Sequence, residues 1–349
     1  VTGNNRIGNF SAYPSITLGD YYSFDNGTPL EGYIPSSLGN RDLTWESTTQ
    51  YNIGLDLALL KNRINFTFDI YRKNTKDLLL NSNLPYSSGY TTVFKNIGAV
   101  RNDGIELSLS TVNVKARYFT WTSDFNISFN RSRVMALSEG EEFLLSKVSF
   151  TNDYNNSYLY IARIGDPMAQ FYGYEWDGVY GYEDFAFNSD GSFSLKKSVP
   201  TNGDERDKIM PGDVKYVDQN GDGVIDDQDK VVLGQALPNV MGGFTNTFNY
   251  KNWSLTVFFN YALGGKIINT NVTKLDLYQA GNNNAYADGL GAWRPANPIT
   301  GDQGWMDGSK PLPSSQQSPS TARLYTQNVI DRWVEDGSYL RLKTLSLTY

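Results

Sequence analysis

The stretch 51–71, YNIGLDLALLKNRINFTFDIY, constrains the fold of this chain more than any other stretch. Its first limb alternates an apolar set with small or polar residues: Tyr51, Ile53, Leu55, Leu57 and Leu59 against Asn52, Gly54, Asp56 and Ala58. After Lys61 and Asn62 a second limb repeats the pattern: Ile64, Phe66, Phe68 and Ile70 against Asn65, Thr67, Asp69 and Tyr71. Because successive side chains of a strand point to opposite faces, the pattern predicts an antiparallel hairpin with one apolar and one polar face.

The length of the limbs indicates which face meets the core. Strands of soluble sandwiches are usually about five or six residues long. This alternation runs for about nine to a dozen residues per limb, the length that a tilted strand needs to cross a bilayer. The polar face carries Asn, Thr and Asp rather than Lys and Glu. We therefore predict that the apolar face meets lipid and that the polar face lines a wet lumen.

Similar alternation recurs farther along the chain. It predicts a second hairpin near 105–130 with a turn at 113–117, a third near 244–261 with a turn at Lys251 and Asn252, and a final strand reaching Tyr349. At most one strand is expected before Glu46, and a loop is expected over 80–102.

Two long segments, 135–240 and 264–336, lack the alternation. Connections that alternate between very short and long are typical of bacterial outer-membrane barrels, which have tight periplasmic turns and large extracellular loops. We predict an all-β antiparallel transmembrane barrel in which 135–240 and 264–336 are extracellular loops.

The composition agrees with a barrel and excludes several other classes. Of the 349 residues, 19% are charged and 14% are aromatic, as in barrels with aromatic girdles. No apolar run approaches the roughly 20 residues of a membrane helix. The absence of Cys and His excludes disulfides, thiol catalysis, imidazole bases and zinc sites of those residues. A net charge of −7, with no basic patch visible in the sequence, argues against nucleic acid as a partner.

One loop motif, DQNGDGVIDDQD at 218–229, has the spacing of a calcium-binding loop. The candidate ligands at positions one, three, five, seven, nine and twelve are Asp218, Asn220, Asp222, Val224 through its carbonyl, Asp226 and Asp229. Gly223 permits the sharp turn at position six, and Ile225 is the apolar residue at position eight. Position twelve is Asp in place of the usual Glu, and no flanking helix is predicted. The motif predicts a structural calcium site, and a metal-free Asp/Asn/Gly turn is the alternative.

No set of residues predicts a catalytic site, and we expect no enzyme activity. The pair Glu141 and Glu142 is interpreted as solvated loop charge, because a glycosidase needs two carboxylates placed across a cleft. The acidic run 226–229 is interpreted in the same way. Five loop aromatics are open to two interpretations, stacking on sugars or packing the loops together: Tyr172, Tyr174, Trp176, Tyr180 and Tyr182.

Seven segments, in the same order and spread over nearly the whole chain, resemble the C-terminal part of the SusC/RagA family of TonB-linked outer-membrane transporters of the Bacteroidetes. They are VTGNNRIGNF (1–10), LTWESTTQYNIGLD (43–56), DIYRKNTKDLLL (69–80), NIGAVRNDGIEL (96–107), FYGYEWDGVY (171–180), PGDVKYVDQNGDGVIDDQD (211–229) and VEDGSYLRLKTLSLTY (334–349).

The resemblance implies a multi-pass barrel of about 22 strands in a Gram-negative outer membrane, of which 1–349 would be the C-terminal part. It implies an N-terminal plug domain that this chain does not contain. It also implies a SusD-like lipoprotein lid, the TonB–ExbB–ExbD complex as energy source, and import of oligosaccharides or peptides. The ends of the chain, which begins VTGNNRIG and stops within an alternating strand, are interpreted as those of a fragment. A complete small barrel is the alternative.

Three classes of function remain open at this point. The first is TonB-dependent import across the outer membrane, with lipid around the barrel and the SusD-like lipoprotein on its extracellular side. The second is a passive porin, which needs neither plug nor TonB. The third is an extracellular calcium-binding β-rich adhesin or carbohydrate-binding protein. The sequence predicts no substrate-contacting residue.

Overall fold

A computed structural model describes residues 12–22, 27, 30–90, 92–137, 140–148, 157–187, 193–275 and 329–349. Its strands are β1 Ser15–Tyr22, β2 Leu30–Ser37, β3 Ser47–Leu59, β4 Ile64–Asn83, β5 Thr92–Lys115, β6 Phe119–Ala136, β7 Phe143–Val148, β8 Ser157–Arg163, β9 Gln170–Gly173, β10 Trp176–Val179, β11 Phe185–Phe187, β12 Phe193–Leu195, β13 Val214–Tyr216, β14 Val231–Gln235, β15 Val240–Tyr250, β16 Trp253–Leu263, β17 Lys266–Ile268, β18 Val334–Asp336 and β19 Tyr339–Thr348. One short helix, α1, spans Thr270–Leu275. No helix among these residues is long and apolar enough to span a bilayer.

Seven strands form one antiparallel sheet, the wall, in the order β19–β16–β15–β6–β5–β4–β3. A single row of direct partners crosses five of these strands: Ile53, Ile70, Ile105, Phe129 and Val240. Because residues opposite one another in an antiparallel pair share a face, the apolar rows of the three predicted hairpins all lie on one face. The structure confirms the hairpins and joins them into a continuous wall.

Three tight turns lie at one end of the wall, which we name the turn end. The first turn includes Lys61 and Asn62, with φ of 55° and 63°, and the third includes Lys251, with φ of 52°. Both were predicted from the sequence. The second turn is also close to its predicted position, because β5 ends at Lys115 and β6 begins at Phe119. The opposite end, where the long connections leave, is named the loop end.

Many residues of the apolar face are exposed, above all on the edge strands β3 and β19. Ile53 is 73% exposed and Leu345 is 65% exposed, although both are aliphatic residues in mid-strand. Exposed aromatic side chains gather at the turn end: Tyr118, Tyr250, Trp253 and Tyr349. An exposed apolar band bordered by aromatic residues is the outer surface of a membrane barrel, with lipid in contact with the aliphatic rows.

A polar cluster interrupts the apolar face near the turn end. Asn246 Oδ1 accepts hydrogen bonds from Trp121 Nε1 at 2.9 Å and from Ser123 Oγ at 2.7 Å. Asn113 Nδ2 donates to Ser123 Oγ at 2.6 Å. Because these groups bind one another, the Trp121 Nε1–H, the Ser123 hydroxyl and Asn246 Oδ1 have partners without water.

Strands β4 and β5 are longer than the sequence predicted. They contain 20 and 24 residues, and the loop between them is 84–91 rather than 80–102. At about 3.3 Å per residue β4 is about 65 Å long, twice the thickness of a bilayer core. The alternation fails there because a register shift between Thr75 and Leu78, where Asp77 has a φ of 59°, interrupts the ladder. Leu79 is buried beyond that shift.

The N-terminal part also differs from expectation. At most one strand was expected before Glu46, and the structure has two, β1 and β2, which pair with each other. Pro35 lies within β2, and the Gly and Pro content of this part of the chain concealed the pair.

The segment 135–240, which lacks alternation, contains eight strands of three to seven residues, β7 to β14. Four of them form a sheet in the order β14–β9–β8–β7, and two further pairs are β10–β13 and β11–β12. In the segment 264–336, β17 pairs with β18. Residues 276–328 of that segment lie outside the described part of the chain. Strands this short are not predicted by periodicity, because alternation needs about four to eight residues to be recognised.

Candidate functional site

The hydrophobic clusters of the described residues are built from the connections at the loop end, although some wall residues such as Leu79 and Val134 are also buried. The largest cluster joins the two long connections: Tyr174, Val214, Tyr216, Ile225, Ile330 and Trp333. The first four residues belong to the connection between β6 and β15, and the last two belong to the connection between β16 and β19. The two connections therefore share one hydrophobic core.

Residues 329–334 run beside 173–176, and we name this contact the seam. Tyr174 N donates to Val329 O at 2.9 Å, and Asp331 N donates to Tyr174 O at 3.2 Å. Trp176 N donates to Asp331 Oδ1 at 2.9 Å. Burial raises the pKa of the Asp331 carboxyl, although the main-chain donors around it act in the opposite direction. Main-chain hydrogen bonds between two connections make the seam a structural joint rather than a loose contact.

Gly173 is the residue that allows this approach. A Cβ atom at Gly173 would lie 2.0 Å from Val329 O, a main-chain atom that no side-chain rotation can move away. Any other residue at 173 would push the two connections apart. The seam was missed in the sequence, where the apolar residues Val329, Ile330 and Trp333 interrupting a polar segment were its only signal.

Three of the five loop aromatics pack into the core. Tyr172, Tyr174 and Tyr180 are buried, and the Tyr174 ring stacks on Tyr216 with centroids 5.0 Å apart. Burial raises the pKa of the phenols of Tyr174, Tyr180 and Tyr216 well above the ordinary value. These phenols stay neutral at physiological pH, as hydrophobic packing requires. Of the two interpretations left open by the sequence, the structure supports packing for these three residues.

The loop 218–229 lies between β13 and β14 and is anchored in the same core. Ile225, the apolar residue at position eight, is buried against the cluster that contains Trp333. Thr201 N donates to Gly223 O at 3.1 Å, which ties the loop to a neighbouring segment. Gly221 and Gly223 have φ of 76° and 85°, so both turns need the left-handed region in which Gly is favoured.

The carboxylates of the loop hold its main chain in a tight coil. Asp218 accepts from Gly221 N at 2.7 Å and from Gly223 N at 2.8 Å. Asp229, which is fully buried, accepts from Gln219 N at 2.9 Å and from Asp226 N at 2.8 Å. Asp226 caps a short 3-10 helix at Asp227–Asp229 by accepting from Gln228 N. The Asp218 oxygens each accept one of these bonds and keep a further lone pair for another partner, whereas Asp229 Oδ1 also accepts from Asn220 N at 3.5 Å.

The remaining predicted ligands also face one another. Asn220 Nδ2 donates to Asp222 Oδ2 at 3.0 Å, and Val224 N donates to Asp222 Oδ1 at 2.8 Å. The donor set is entirely oxygen, which suits Ca²⁺ and not a soft metal. Within the described part of the chain, no group of three or more Asp, Glu, His or Cys residues is arranged to hold an ion. The predicted set includes an amide and a main-chain carbonyl besides carboxylates, and calcium binding stays a prediction.

The polar face of the wall carries carboxylates with hydroxyl and amide partners. Thr67 Oγ1 donates to Asp56 Oδ1 at 2.7 Å, and Ser110 Oγ donates to Asp124 Oδ1 at 2.6 Å. Asp69 stands directly opposite Glu106 in the ladder between β4 and β5. Charged and amide groups of this kind require water, so this face is suited to line an aqueous lumen.

The wall, its exposed apolar band and its polar inner face define a transmembrane β-barrel protein with structured loops at one end. The model of the family "TonB dependent receptor-like, beta-barrel" matches residues 9–287. The chain belongs to this family.

Individual relatives agree with this assignment. TonB-dependent receptor P3 of Formosa agariphila is 32% identical over 345 residues, which is 98% of this chain and 31% of that protein. TonB-dependent receptor SusC of Bacteroides thetaiotaomicron is 26% identical over 299 residues, 82% of this chain and 27% of that protein. The RagAB peptide transporter structure matches with a TM-score of 0.68 and 25% identity, covering all of this chain and 33% of that one. The chain spans about a third of the length of the relatives it matches.

The resemblance to SusC and RagA, inferred from the sequence, is thereby confirmed, as is the barrel fold. The relatives are named as receptors and transporters rather than as enzymes.

Proposed function

We propose that the protein containing this chain imports oligosaccharides or peptides across the outer membrane, driven by TonB, ExbB and ExbD. The family match over 9–287 is the observation that carries the proposal. In this proposal the turn end faces the periplasm and the loop end faces outside, as in other outer-membrane barrels. Substrate is held at the loop end, beneath a SusD-like lipoprotein, and then passes along the polar face.

The structure supports this proposal over a simple pore in one respect. The connections at the loop end are folded on a core of their own, whereas a passive pore requires only that the lumen stay open. A folded surface at the loop end suits the docking of a partner protein, because little chain entropy is lost on binding.

Uptake measurements test the proposed function directly. The gene would be deleted in the source bacterium and restored, and cells would be given fluorescent oligosaccharides or peptides with and without a protonophore. We expect uptake of either the oligosaccharides or the peptides to require both the gene and the proton gradient. Uptake that persists under the protonophore would indicate a passive porin. Surface binding without entry would indicate an adhesin.

The proposed lipoprotein partner has its own test. Full-length protein solubilised in a mild detergent and captured through an affinity tag is expected to retain a lipoprotein in near-equal amount. Capture of the transporter alone from membranes that contain the lipoprotein would contradict the proposal of a lipoprotein partner.

We further propose that the loop 218–229 binds calcium as a structural ion. Asp218, Asn220, Asp222, Val224, Asp226 and Asp229 would hold it, and the ion would neutralise the negative charge gathered in the loop. Ile225 supports this role, since it links the loop to the core shared by both connections.

Asp222→Asn is expected to weaken calcium binding about tenfold, because ligand charge sets the affinity of such loops. The amide oxygen can still accept from Val224 N, so the coil itself should survive. Calorimetric titration of the full-length protein in detergent, with Mg²⁺ present, measures the change.

Asp227→Asn is the matched control for this prediction. It removes the same charge from the same loop, but Asp227 is at position ten, its side chain is 90% exposed, and it pairs with Lys230. Equal weakening by both substitutions would mean that only net charge matters. No calcium binding by the unchanged protein would leave the metal-free turn as the correct interpretation.

A further inference from the structure

Four arginines lie on the apolar face of the wall, immediately beyond its aliphatic rows toward the loop end. The ladder places Tyr51, Arg72, Asp103 and Arg131 in one row and Thr49, Asn74, Arg101 and Arg133 in the next. Both rows continue the face that carries Ile53, Ile70 and Phe129, because they follow these residues at intervals of two. We name Arg72, Arg101, Arg131 and Arg133 the arginine band.

No basic patch is visible in the sequence, and this one appears only in the folded wall. The arginines come from three strands and are spread between Arg72 and Arg133 along the chain. Strand pairing alone brings them together.

The positive charge of the band is only partly balanced by carboxylates among the described residues. Asp103 is the only carboxylate in the two rows, and both of its oxygens are engaged, by Arg72 Nε at 2.6 Å and by Arg101 Nε at 3.1 Å. The Arg101 Nε–H is buried and makes no hydrogen bond, so that ion pair is poorly directed.

The two remaining arginines have no carboxylate partner at all among the described residues. In addition, Arg101 stands directly opposite Arg133 in the ladder. Like charges placed opposite each other destabilise a strand pair. The band therefore has three positive charges in excess, in a chain whose net charge is −7.

The spacing of the band suits an anion. Residues two apart on a strand are about 7 Å apart, and neighbouring strands are about 4.8 Å apart. Guanidinium groups in one row, such as those of Arg72 and Arg131, are thus close enough to share one phosphate, which Arg binds through paired N–H donors. A groove of about 830 Å³ lies here, lined among others by Tyr51, Ile53, Ile70, Phe129, Arg72 and Arg131. The lining is mainly apolar and also contains Arg72, Arg131, the carboxylate of Asp103 and the amides of Asn74, Asn130 and Asn239.

We propose that the arginine band binds the phosphate-bearing headgroup of a lipid in the outer leaflet, with its acyl chains against the aliphatic rows. A lipid fits better than a free anion because the cationic rows adjoin an exposed apolar surface. The inference uses the proposed orientation of the wall but does not depend on import or on its substrate.

Native mass spectrometry of the full-length protein in detergent tests the proposal. Delipidated protein would be given diphosphoryl lipid A or the same lipid with its phosphates removed. We expect the phosphorylated lipid to bind about tenfold or more tightly, since charge-assisted bonds to phosphate are lost in the other form. Arg131→Gln with Arg133→Gln should remove most of that difference. These two arginines have no described ion pair, so the double variant breaks none.

Lys73→Gln with Arg341→Gln is the matched control. It removes the same charge from the wall, but register places both residues on the polar face, opposite Asn102 and Asn260. Barrel folding of each variant would be checked by heat-modifiable gel migration. Equal loss in both double variants would overturn the proposal, as would equal binding of the two lipids. Competition by inorganic phosphate without any preference for lipid would identify a free-anion site instead.

Discussion

Leu107→Arg is expected to destabilise the folded barrel by about 2–4 kcal/mol, the cost of an arginine near the bilayer midplane on a lipid-facing strand. Leu107 lies in the row that contains Leu55, Phe68 and Ile127. Leu55 is the middle one of the five apolar residues of β3, so this row is near the centre of the apolar band. The measurement is the urea dependence of the heat-modifiable, folded species of the full-length protein in vesicles.

Ser108→Arg is the control for this prediction, because Ser108 is the next residue of β5 and points to the opposite face. It lies in the row of Asp56 and Thr67, where a cation meets water and a carboxylate. We expect a change of well under 1 kcal/mol. Equal destabilisation by both substitutions would show that the two faces do not differ in environment. It would contradict the interpretation that one face of the wall meets lipid and the other meets water.

Trp333→Ala is expected to destabilise the closed seam by about 3–5 kcal/mol, the usual range for a fully buried tryptophan. Trp333 is completely buried in the cluster shared by the two connections. The population of the open form should rise by roughly two orders of magnitude or more. Limited proteolysis of the full-length protein, with cleavage sites mapped by mass spectrometry, should show faster cutting within 157–275 and 329–338.

Two further variants sharpen this result. Gly173→Ala leaves no cavity but places a Cβ atom against Val329 O, so it should increase cleavage at the same sites. Trp253→Ala removes an exposed tryptophan at the turn end and should leave the pattern unchanged. Unaltered cleavage in both Trp333→Ala and Gly173→Ala would mean that the seam does not hold the connections together.

The sequence predicted the wall well because lipid and water impose opposite requirements on its two faces. That contrast produces a clear period of two over 51–71, 105–129 and 244–261, and all three hairpins were found. Beyond the bilayer the contrast ends. The outer part of β4 has buried residues such as Leu79, and the alternation that marked its start is lost.

The loop region was predicted less completely for the same physical reason. Its strands are short, and its core is built from residues far apart in sequence, such as Ile225 and Ile330. The motif 218–229 was recognisable because its spacing is local, whereas the seam and the arginine band arise only from pairing between distant segments. Local spacing can be recognised in a sequence, whereas the pairing register of distant strands cannot.

The seam has a consequence for motion at the mouth of the barrel. The two connections leave from β6, β15, β16 and β19, which are four adjacent strands of the wall. Since the connections share one core, they cannot slide past each other without exposing Trp333 and Ile330 to water. We therefore expect the parts of the two connections that share this core to move together when the loop end opens. The hinges of this movement would be the short stretches where those four strands emerge from the membrane.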